Sequence, residues 1–236
     1  MNTVALALCL SVTAAQPAAK PKAKPAFEPT SNYQIKAIEG WKVYVHQDLL
    51  TTKKVVGAEA LNVLAAHLHM VARVVPKAAL AKLRAVPIWL EDNPKVACAC
   101  YHPSKGWLQK NGFNPEKAKC VEIGGPKNFI NWTRHQFCMV LHELAHAYHD
   151  RDLGGYGNAE LKAAYERMKK TGRYEKVMLF SGKTVKHYAL NNPMEYFAES
   201  TEAYFGTNDF YPFVRAELKE FDPEMHALVK KLWEKK

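Results

Sequence analysis

Hydrophobic positions recur with two different periods along the chain. The segment GAEALNVLAAHLHMVARVV places apolar residues three to four apart, which predicts a helix that ends before Pro76. In YQIKAIEGWKVYVHQDLL, two runs of strand-forming residues flank Glu39 and Gly40, which predicts a hairpin. The N-terminal part of the folded chain is therefore expected to combine strands with a long helix.

The rest of the pattern predicts short strands and several helices. VPIWLEDN, CVEIGG and KTVKHYAL favour strands, whereas CYHPSKGWLQKNGFNPEKAK is rich in residues typical of turns. Helical spacing covers residues 127–152, 159–170 and 223–233, and also NPMEYFAESTEAYFG, which Asn192 caps and Pro193 opens. We expect an α+β fold in which a small mixed sheet packs beside a helical half.

The N-terminal residues differ in composition from the rest of the chain. Residues 1–15 contain a short apolar run followed by small residues, which is typical of a secretory signal peptide. Residues 16–30 are rich in Pro, Lys and Ala and predict an extended linker. Residues 31–236 are expected to form one domain, unless residues 31–120 form a distinct N-terminal subdomain. With no later membrane span expected, the mature protein is predicted to be secreted or periplasmic.

Composition and charge narrow the choice of partner. With 48% hydrophobic and 24% charged residues, the chain has the composition of a globular protein. A formal net charge of +10 would suit an anionic partner such as nucleic acid. However, the lysines are scattered, and no nucleic-acid-binding motif is present. No nucleic-acid partner is therefore expected.

Four cysteines would remain after removal of the signal peptide, which allows up to two disulfides. Cys120 is a candidate partner for Cys98 or Cys100, whereas Cys138 lies on an apolar helical stripe and is expected to be a core thiol. The spacing of the four matches no common zinc-binding frame, so no cysteine-based metal site is expected.

The segment MVLHELAHAYHD contains an HExxH motif within an apolar helical pattern. His142 and His146 are four residues apart, so both imidazoles project from one helical face and can bind one Zn²⁺ ion. Glu143 lies about 100° further around the helix, beside the metal, where it can take a proton from zinc-activated water. The alternative is a pair of core histidines, but a buried Glu143 without a cation would be costly. The motif predicts a hydrolytic zinc site with Glu143 as general base.

A hydrolytic zinc site needs a third protein ligand and one open position. Asp152 would lie about 240° around the helix from His146 and so away from the metal. Glu160 and Glu166 belong to a lysine-rich segment whose charges favour solvent. These three acids are therefore rejected as ligands.

The segment EYFAESTE is a better source of the third ligand. Glu195, Glu199 and Glu202 share one edge of an otherwise apolar helix, where they would repel one another unless a cation neutralised them. Glu195 also lies three residues after Asn192, so it could instead close a capping box. Both interpretations of Glu195 stay open on this reasoning.

HELAH, followed about fifty residues later by YALNNPMEYFAE, resembles the catalytic domain of anthrax lethal factor and the related Pro-Pro endopeptidases. The resemblance covers roughly residues 132–205 and implies a zincin-like catalytic domain. It also implies roles for six residues: His142, His146 and Glu195 as zinc ligands, Glu143 as the base, Glu199 as acceptor of a ligand-histidine N–H, and Tyr188 as hydroxyl donor to the oxyanion or leaving amine.

The chain is therefore expected to be an exported zinc metallopeptidase with a protein or peptide substrate. A zinc amidase that cleaves a non-peptide or cell-wall amide is one alternative, and a non-catalytic zinc-stabilised binding module is another. The strand CVEIGG is expected to offer the sheet edge to which an extended substrate adds. The oligomeric state is not determined by these patterns.

Overall fold

A computed structural model describes residues 27–234 of the chain. The expected signal peptide and residues 16–26 of the expected linker lie outside the described residues. Residues 28–30, the end of that linker, contact the folded part, because the Asn114 side chain donates hydrogen bonds to the Glu28 carbonyl and the Thr30 hydroxyl, each at 3.1 Å.

Five strands form the main sheet, and two more form a separate small pair. The strands are β1 Tyr33–Ile38, β2 Trp41–His46, β3 Ile88–Leu90, β4 Ala99–Tyr101, β5 Val121–Ile123, β6 Val177–Met178 and β7 Thr184–Val185. The order in the main sheet is β1-β2-β3-β5-β4. Pairing is antiparallel between β1 and β2 and between β4 and β5, and parallel elsewhere, so the sheet is mixed.

The helices make up most of the second half of the chain. They are α1 Lys54–Val74, α2 Lys77–Arg84, α3 Lys105–Lys110, α4 Pro126–Trp132, α5 Met139–Asp152, α6 Ala159–Thr171, α7 Pro193–Phe205, α8 Arg215–Phe221 and α9 Pro223–Trp233. The expected α+β class, with a small mixed sheet beside helices, is confirmed.

Strand order corrects one expectation about the sheet. The hairpin around Glu39 and Gly40 forms as predicted, and CVEIGG is strand β5. However, β5 lies between β3 and β4, so it is not an edge. The exposed edge at that end of the sheet is β4, and the expectation that CVEIGG offers an edge to a substrate is wrong.

Three segments differ from the expected secondary structure. The long helix over 127–152 is divided into α4 and α5 by turns over residues 133–138, where the N–H groups of Arg134 and His135 bond carbonyls three residues back. The turn-rich segment contains α3, because Ser104 Oγ accepts a hydrogen bond from Trp107 N at its start. In KTVKHYAL only Thr184–Val185 is strand, and a 3-10 turn, Tyr188–Asn191, follows.

One large hydrophobic core joins the sheet to the helices. The buried stripe predicted for α1 packs into it together with side chains of β2, β3, α5, α7 and α9. Trp41 of β2 and Trp233 of α9 are both fully buried in this cluster. The core therefore contains side chains from both the N-terminal and the C-terminal segments of residues 31–236.

Helix α1 is long and apolar enough to cross a membrane by length and composition alone. Core helices of soluble proteins also meet these criteria, and one face of α1, which includes Leu64 and Leu68, is buried in the core. The expectation of no membrane span stays a prediction.

Cys98, Cys100, Cys120 and Cys138 are all free thiols in the described residues. Cys138 is buried in the main core, as expected from its position on the helical stripe.

Candidate metal centre

Helix α5 positions the two histidines of the HExxH motif. His142 and His146 are one turn apart, and their rings meet edge to face with centroids 4.7 Å apart. The surrounding apolar residues of α5, including Leu141, Leu144 and Ala145, are buried in the core. The helix is thereby held in place with its two imidazoles side by side on one face.

Helix α7 brings the third group to the histidines. Asn192 Oδ1 caps this helix by accepting hydrogen bonds from the backbone N–H groups of Met194 and Glu195, each at 2.9 Å. The Glu195 carboxylate contacts both histidines, with Oε2 3.0 Å from His142 Nε2 and 3.3 Å from His146 Nε2. We call His142, His146 and Glu195 the helix cluster.

The helix cluster has the spacing that a tetrahedral zinc site requires. With ligand bonds of ~2.0–2.1 Å, two donor atoms of one tetrahedron are separated by about 3.3–3.4 Å. The nitrogen–oxygen distances of 3.0 and 3.3 Å are close to that value, and all three donor atoms lie within 4.8 Å of one another. These three residues could therefore hold a divalent metal ion such as Zn²⁺.

The distal nitrogen of His142 is held by a second carboxylate of α7. Glu202 Oε1 lies 2.7 Å from His142 Nδ1, whereas Glu199 Oε1 is 3.7 Å away. Glu202 is therefore the nearer acceptor for the Nδ1 proton, and this leaves the Nε2 lone pair free for a metal. Glu199 Oε2 lies 3.8 Å from His187 Nδ1 and has no hydrogen-bond partner among the described residues, because that nitrogen accepts from the Ala189 N–H.

The role of Glu202 was not assigned from the sequence. Glu202 follows Glu195 by seven residues, two helical turns, and Glu199 follows Glu195 by four, so both lie on the same acidic edge. The sequence could identify the edge but not which of the two carboxylates reaches Nδ1.

Several acidic side chains crowd around the helix cluster, and burial and mutual repulsion shift the pKa values of the groups there. Burial and the neighbouring charge of Glu202 raise the pKa of Glu199 well above its usual range, and the same two causes raise the pKa of Asp209 to about 7. Burial alone would lower the pKa of His142, but its hydrogen bonds with Glu195 and Glu202 raise it well above the ordinary value. A bound divalent cation would favour the charged forms of these carboxylates.

The remaining predicted site residues line the cleft above the helix cluster. The cleft encloses about 230 Å³, and Glu143 and Tyr188 both contribute to its wall. The Tyr188 ring lies 6.5 Å from the His142 ring, between centroids, and the side chain is about half exposed. Burial and the charge of Glu195 raise the pKa of Tyr188, so its hydroxyl keeps its proton.

The rejected candidates lie away from the cleft. Asp152 pairs with Lys82 at 3.4 Å, and Glu160 pairs with Lys231 at 2.6 Å on the surface. Glu166 is within 3.9 Å of Lys169, the next turn of the same helix. Each of these carboxylates is close to a lysine, as expected on a solvent-exposed face.

Close packing fixes the distance between α5 and α7. A Cβ atom on Gly206, just after α7, would come within 2.4 Å of Cys138 Sγ, just before α5. The Thr207 N–H donates to the same sulfur at 3.3 Å. The C-terminal end of α7 can therefore approach the start of α5 only with glycine at this position.

No protein-family model, no curated protein and no solved structure matches this chain.

Proposed function

We propose that the protein is an exported zinc metallopeptidase whose metal is held by His142, His146 and Glu195. The observation that carries this proposal is the convergence of the two Nε2 atoms on a single oxygen of Glu195, at distances of 3.0 and 3.3 Å. The two histidines come from α5 and the carboxylate from α7, 49 residues or more further along the chain. A zincin-like arrangement of this kind is part of the proposal.

A bound zinc ion would supply Lewis acidity at the scissile carbonyl and lower the pKa of water toward ~7. Glu143 follows His142 directly on α5 and lines the cleft, so its carboxylate can accept the proton of the attacking water. The same carboxylate would then return that proton to the departing nitrogen. Glu143 is thus the general base and later the general acid.

Tyr188 and Glu202 support this reaction in different ways. The protonated hydroxyl of Tyr188, on the turn just before α7, can donate to the oxyanion or to the leaving amine. Glu202 fixes the tautomer and orientation of His142 through the 2.7 Å contact with Nδ1. Tyr188 is a catalytic candidate, whereas Glu202 positions a ligand.

Strand β4 is suited to bind an extended peptide beside the cleft. It is the outer strand at its end of the sheet, so one row of its backbone groups is not used in sheet pairing. Ala99 of this strand lines the cleft, and so does the half-exposed Trp132 of α4. A peptide paired along β4 would carry its backbone past Glu143.

Replacement of Glu143 by Gln tests the proposal most directly. The variant keeps the shape of the side chain but cannot accept a proton, so we expect hydrolysis to fall by ~10²–10⁴-fold or more while zinc content is unchanged. Glu160→Gln, a carboxylate on the surface of α6, is the matched control and should retain full activity.

The assay should include a peptide library and cell-wall fragments, with zinc measured on each variant. Cleavage of peptides in the wild type and loss of cleavage in Glu143→Gln would support the peptidase. Cleavage of wall amides alone would favour the amidase. Zinc binding without any hydrolysis that depends on Glu143 would favour the binding module and overturn the enzymatic proposal.

A further inference from the structure

A second group of potential metal ligands lies on the other face of the main sheet. Tyr101 of β4 points toward α5, where its hydroxyl donates to Asp150 at 2.7 Å. Side chains alternate along a strand, so Cys100 and His102 share the opposite face. Glu122 of β5 is the cross-strand partner of Cys100 in the antiparallel register. We call Cys100, His102 and Glu122 the strand cluster.

The donor atoms of the strand cluster are close enough to bind one ion. Cys100 Sγ lies 3.6 Å from His102 Nε2, and the same nitrogen lies 2.5 Å from Glu122 Oε2. For a tetrahedral ion with bonds of ~2.3 Å to sulfur and ~2.0–2.1 Å to nitrogen, the sulfur–nitrogen separation is about 3.5–3.6 Å. The nitrogen–oxygen pair would have to open by roughly 0.8 Å to reach the spacing of a metal site, and all three donor atoms already lie within 4.8 Å of one another.

The charges around the strand cluster favour a cation. Glu91 and Glu122 are both buried, and one ammonium group, that of Lys117, contacts both carboxylates. Three other groups contact this pair: Asn93 bonds Glu122 at 2.7 Å, His102 Nε2 lies 2.5 Å from Glu122, and Tyr33 bonds Glu91 at 2.8 Å. Two buried carboxylates thus share a single permanent positive charge.

A divalent ion bound with a Cys100 thiolate would balance the second carboxylate. The thiol proton would pass to solvent, and the ion would add two positive charges against one new negative charge on sulfur. Neutral His102 would then complete the ligand set, because coordination uses the lone pair of Nε2.

The strand cluster can be reached from outside. Cys100 and His102 line a cavity of about 630 Å³ whose walls include Trp107 and Phe113. Water in this cavity could occupy a fourth coordination position. The cavity also borders Cys98, Ala99 and Trp132, which line the cleft of the helix cluster, so the two sites lie on either side of β4.

We propose that Cys100, His102 and Glu122 form a second metal site, selective for thiophilic divalent cations such as Zn²⁺ and Cd²⁺. The site is separate from the helix cluster and does not depend on the proposed peptidase activity. A bound ion would link the outer strand β4 to its neighbour β5.

Cadmium titration of the full, reduced protein tests this site independently of catalysis. A cadmium–thiolate bond gives an ultraviolet charge-transfer band, which a ligand set of two histidines and a carboxylate cannot produce. The titration should be performed on wild type and on Glu195→Ala. We expect one thiolate band per chain in both proteins.

Three variants test whether the cadmium–thiolate band comes from Cys100. Cys100→Ser should abolish it, and His102→Ala should weaken cadmium binding by at least ~10-fold, the lower end of the loss seen when an outer partner of a ligand is removed. Cys120→Ser is the matched control, because Cys120 is also a buried thiol near this sheet end but bonds the Glu116 and Ala118 carbonyls. It should retain the band.

The proposal would be overturned if wild type showed no thiolate band at saturating cadmium, or if the band persisted in Cys100→Ser. Circular dichroism and the zinc content of the helix cluster should match wild type in Cys100→Ser, which shows that the variant is folded. If Cys100→Ser fails to fold, the cadmium affinity of His102→Ala tests the proposal instead. An affinity equal to that of wild type would also overturn it.

Discussion

The helix cluster and the strand cluster contain similar ligand types but differ in how their charges are balanced. Both include histidine and glutamate. In the strand cluster, Lys117 lies against the carboxylate of Glu122. At the helix cluster, no lysine or arginine within the described residues pairs with Glu195 or with its neighbours Glu199 and Glu202. An ammonium group thus lies against the carboxylate of the strand cluster, whereas in the proposed metallopeptidase a bound ion would offset the acids at the helix cluster.

The clusters also differ in how the backbone assembles them. His142 and His146 are paired by a helical turn, and a capped helix adds Glu195. Cys100 and His102 are paired by strand alternation, and sheet register adds Glu122. We therefore expect a bound metal to be needed for catalysis at the helix cluster and to stabilise the sheet edge at the strand cluster.

Loss of a ligand should have the largest effect. In Glu195→Ala the helix cluster keeps two of its three ligands. Loss of a residue that only hydrogen-bonds to a ligand weakens metal binding by ~10–100-fold, so we expect a larger loss of zinc affinity here. Metal analysis after dialysis measures this. Glu160→Ala is the control, because Glu160 pairs with Lys231 on the surface. Retention of zinc in Glu195→Ala with loss in Glu160→Ala would contradict the assigned ligand set.

Removal of the Lys117 ammonium group beside the strand cluster should have the next largest effect. Lys117→Met leaves two buried carboxylates without a counter-charge, which should lower the free energy of unfolding by about 3–5 kcal/mol. Urea unfolding measures the loss, and saturating cadmium should recover part of it.

Lys119→Met is a matched control for this variant. Lys119 is half exposed and pairs with Asp150 at 2.5 Å, so its loss should cost no more than about 1 kcal/mol. Equal losses in the two variants would show that Lys117 does not balance buried charge.

A smaller effect distinguishes the two carboxylates near His142. Glu202→Gln should weaken zinc binding by ~10–100-fold, because Glu202 holds Nδ1 at 2.7 Å. Glu199→Gln should have less effect, because its nearer oxygen is 3.7 Å away. Competition with a zinc chelator measures both. The reverse order would return the orienting role to Glu199, as the family resemblance implies.

A pH-dependent effect concerns a histidine that has no carboxylate partner. His149 is fully buried between Tyr156 and Phe197, and neither ring nitrogen has a hydrogen-bond partner among the described residues. Burial, with a smaller contribution from His146, lowers the pKa of His149 to about 4. In the unfolded chain that pKa returns to ~6.5.

Between those two pKa values the unfolded state binds more protons than the folded state. The stability contributed by neutral His149 is therefore complete above pH 6.5 and decreases as the pH falls toward 4, by at most ~1.4 kcal/mol per pH unit. His149→Leu should reduce the pH dependence of urea unfolding in this range. An unchanged slope would show that His149 does not contribute to it.

Local patterns paired His142 with His146, and the family resemblance implied Glu195 as the third member of the helix cluster, whereas the strand cluster depends on long-range pairing. The spacing of His142 and His146, and the cap of Asn192 before Glu195, are properties of single helices. In contrast, Glu122 reaches Cys100 only because β4 and β5 pair in one particular register. The cysteine spacing alone argued against a metal site there.

The error about the sheet edge has the same origin. β5 follows β4 in the chain but is inserted between β3 and β4 in the sheet. Strand order is set by packing across the whole domain, so proximity to the active-site helix in sequence could not identify the outer strand. The division of α4 from α5 occurs at turns over residues 133–138 that the helical spacing of the sequence did not reveal.

The short length of β4 limits how a peptide could be recognised. Ala99–Tyr101 spans three residues, or about 10 Å of extended chain. Main-chain pairing over so few residues would align a bound segment without distinguishing one sequence from another. Selectivity would then depend on how side chains fit the hollows on either side of this strand, and a compact motif of a few residues would be sufficient for cleavage.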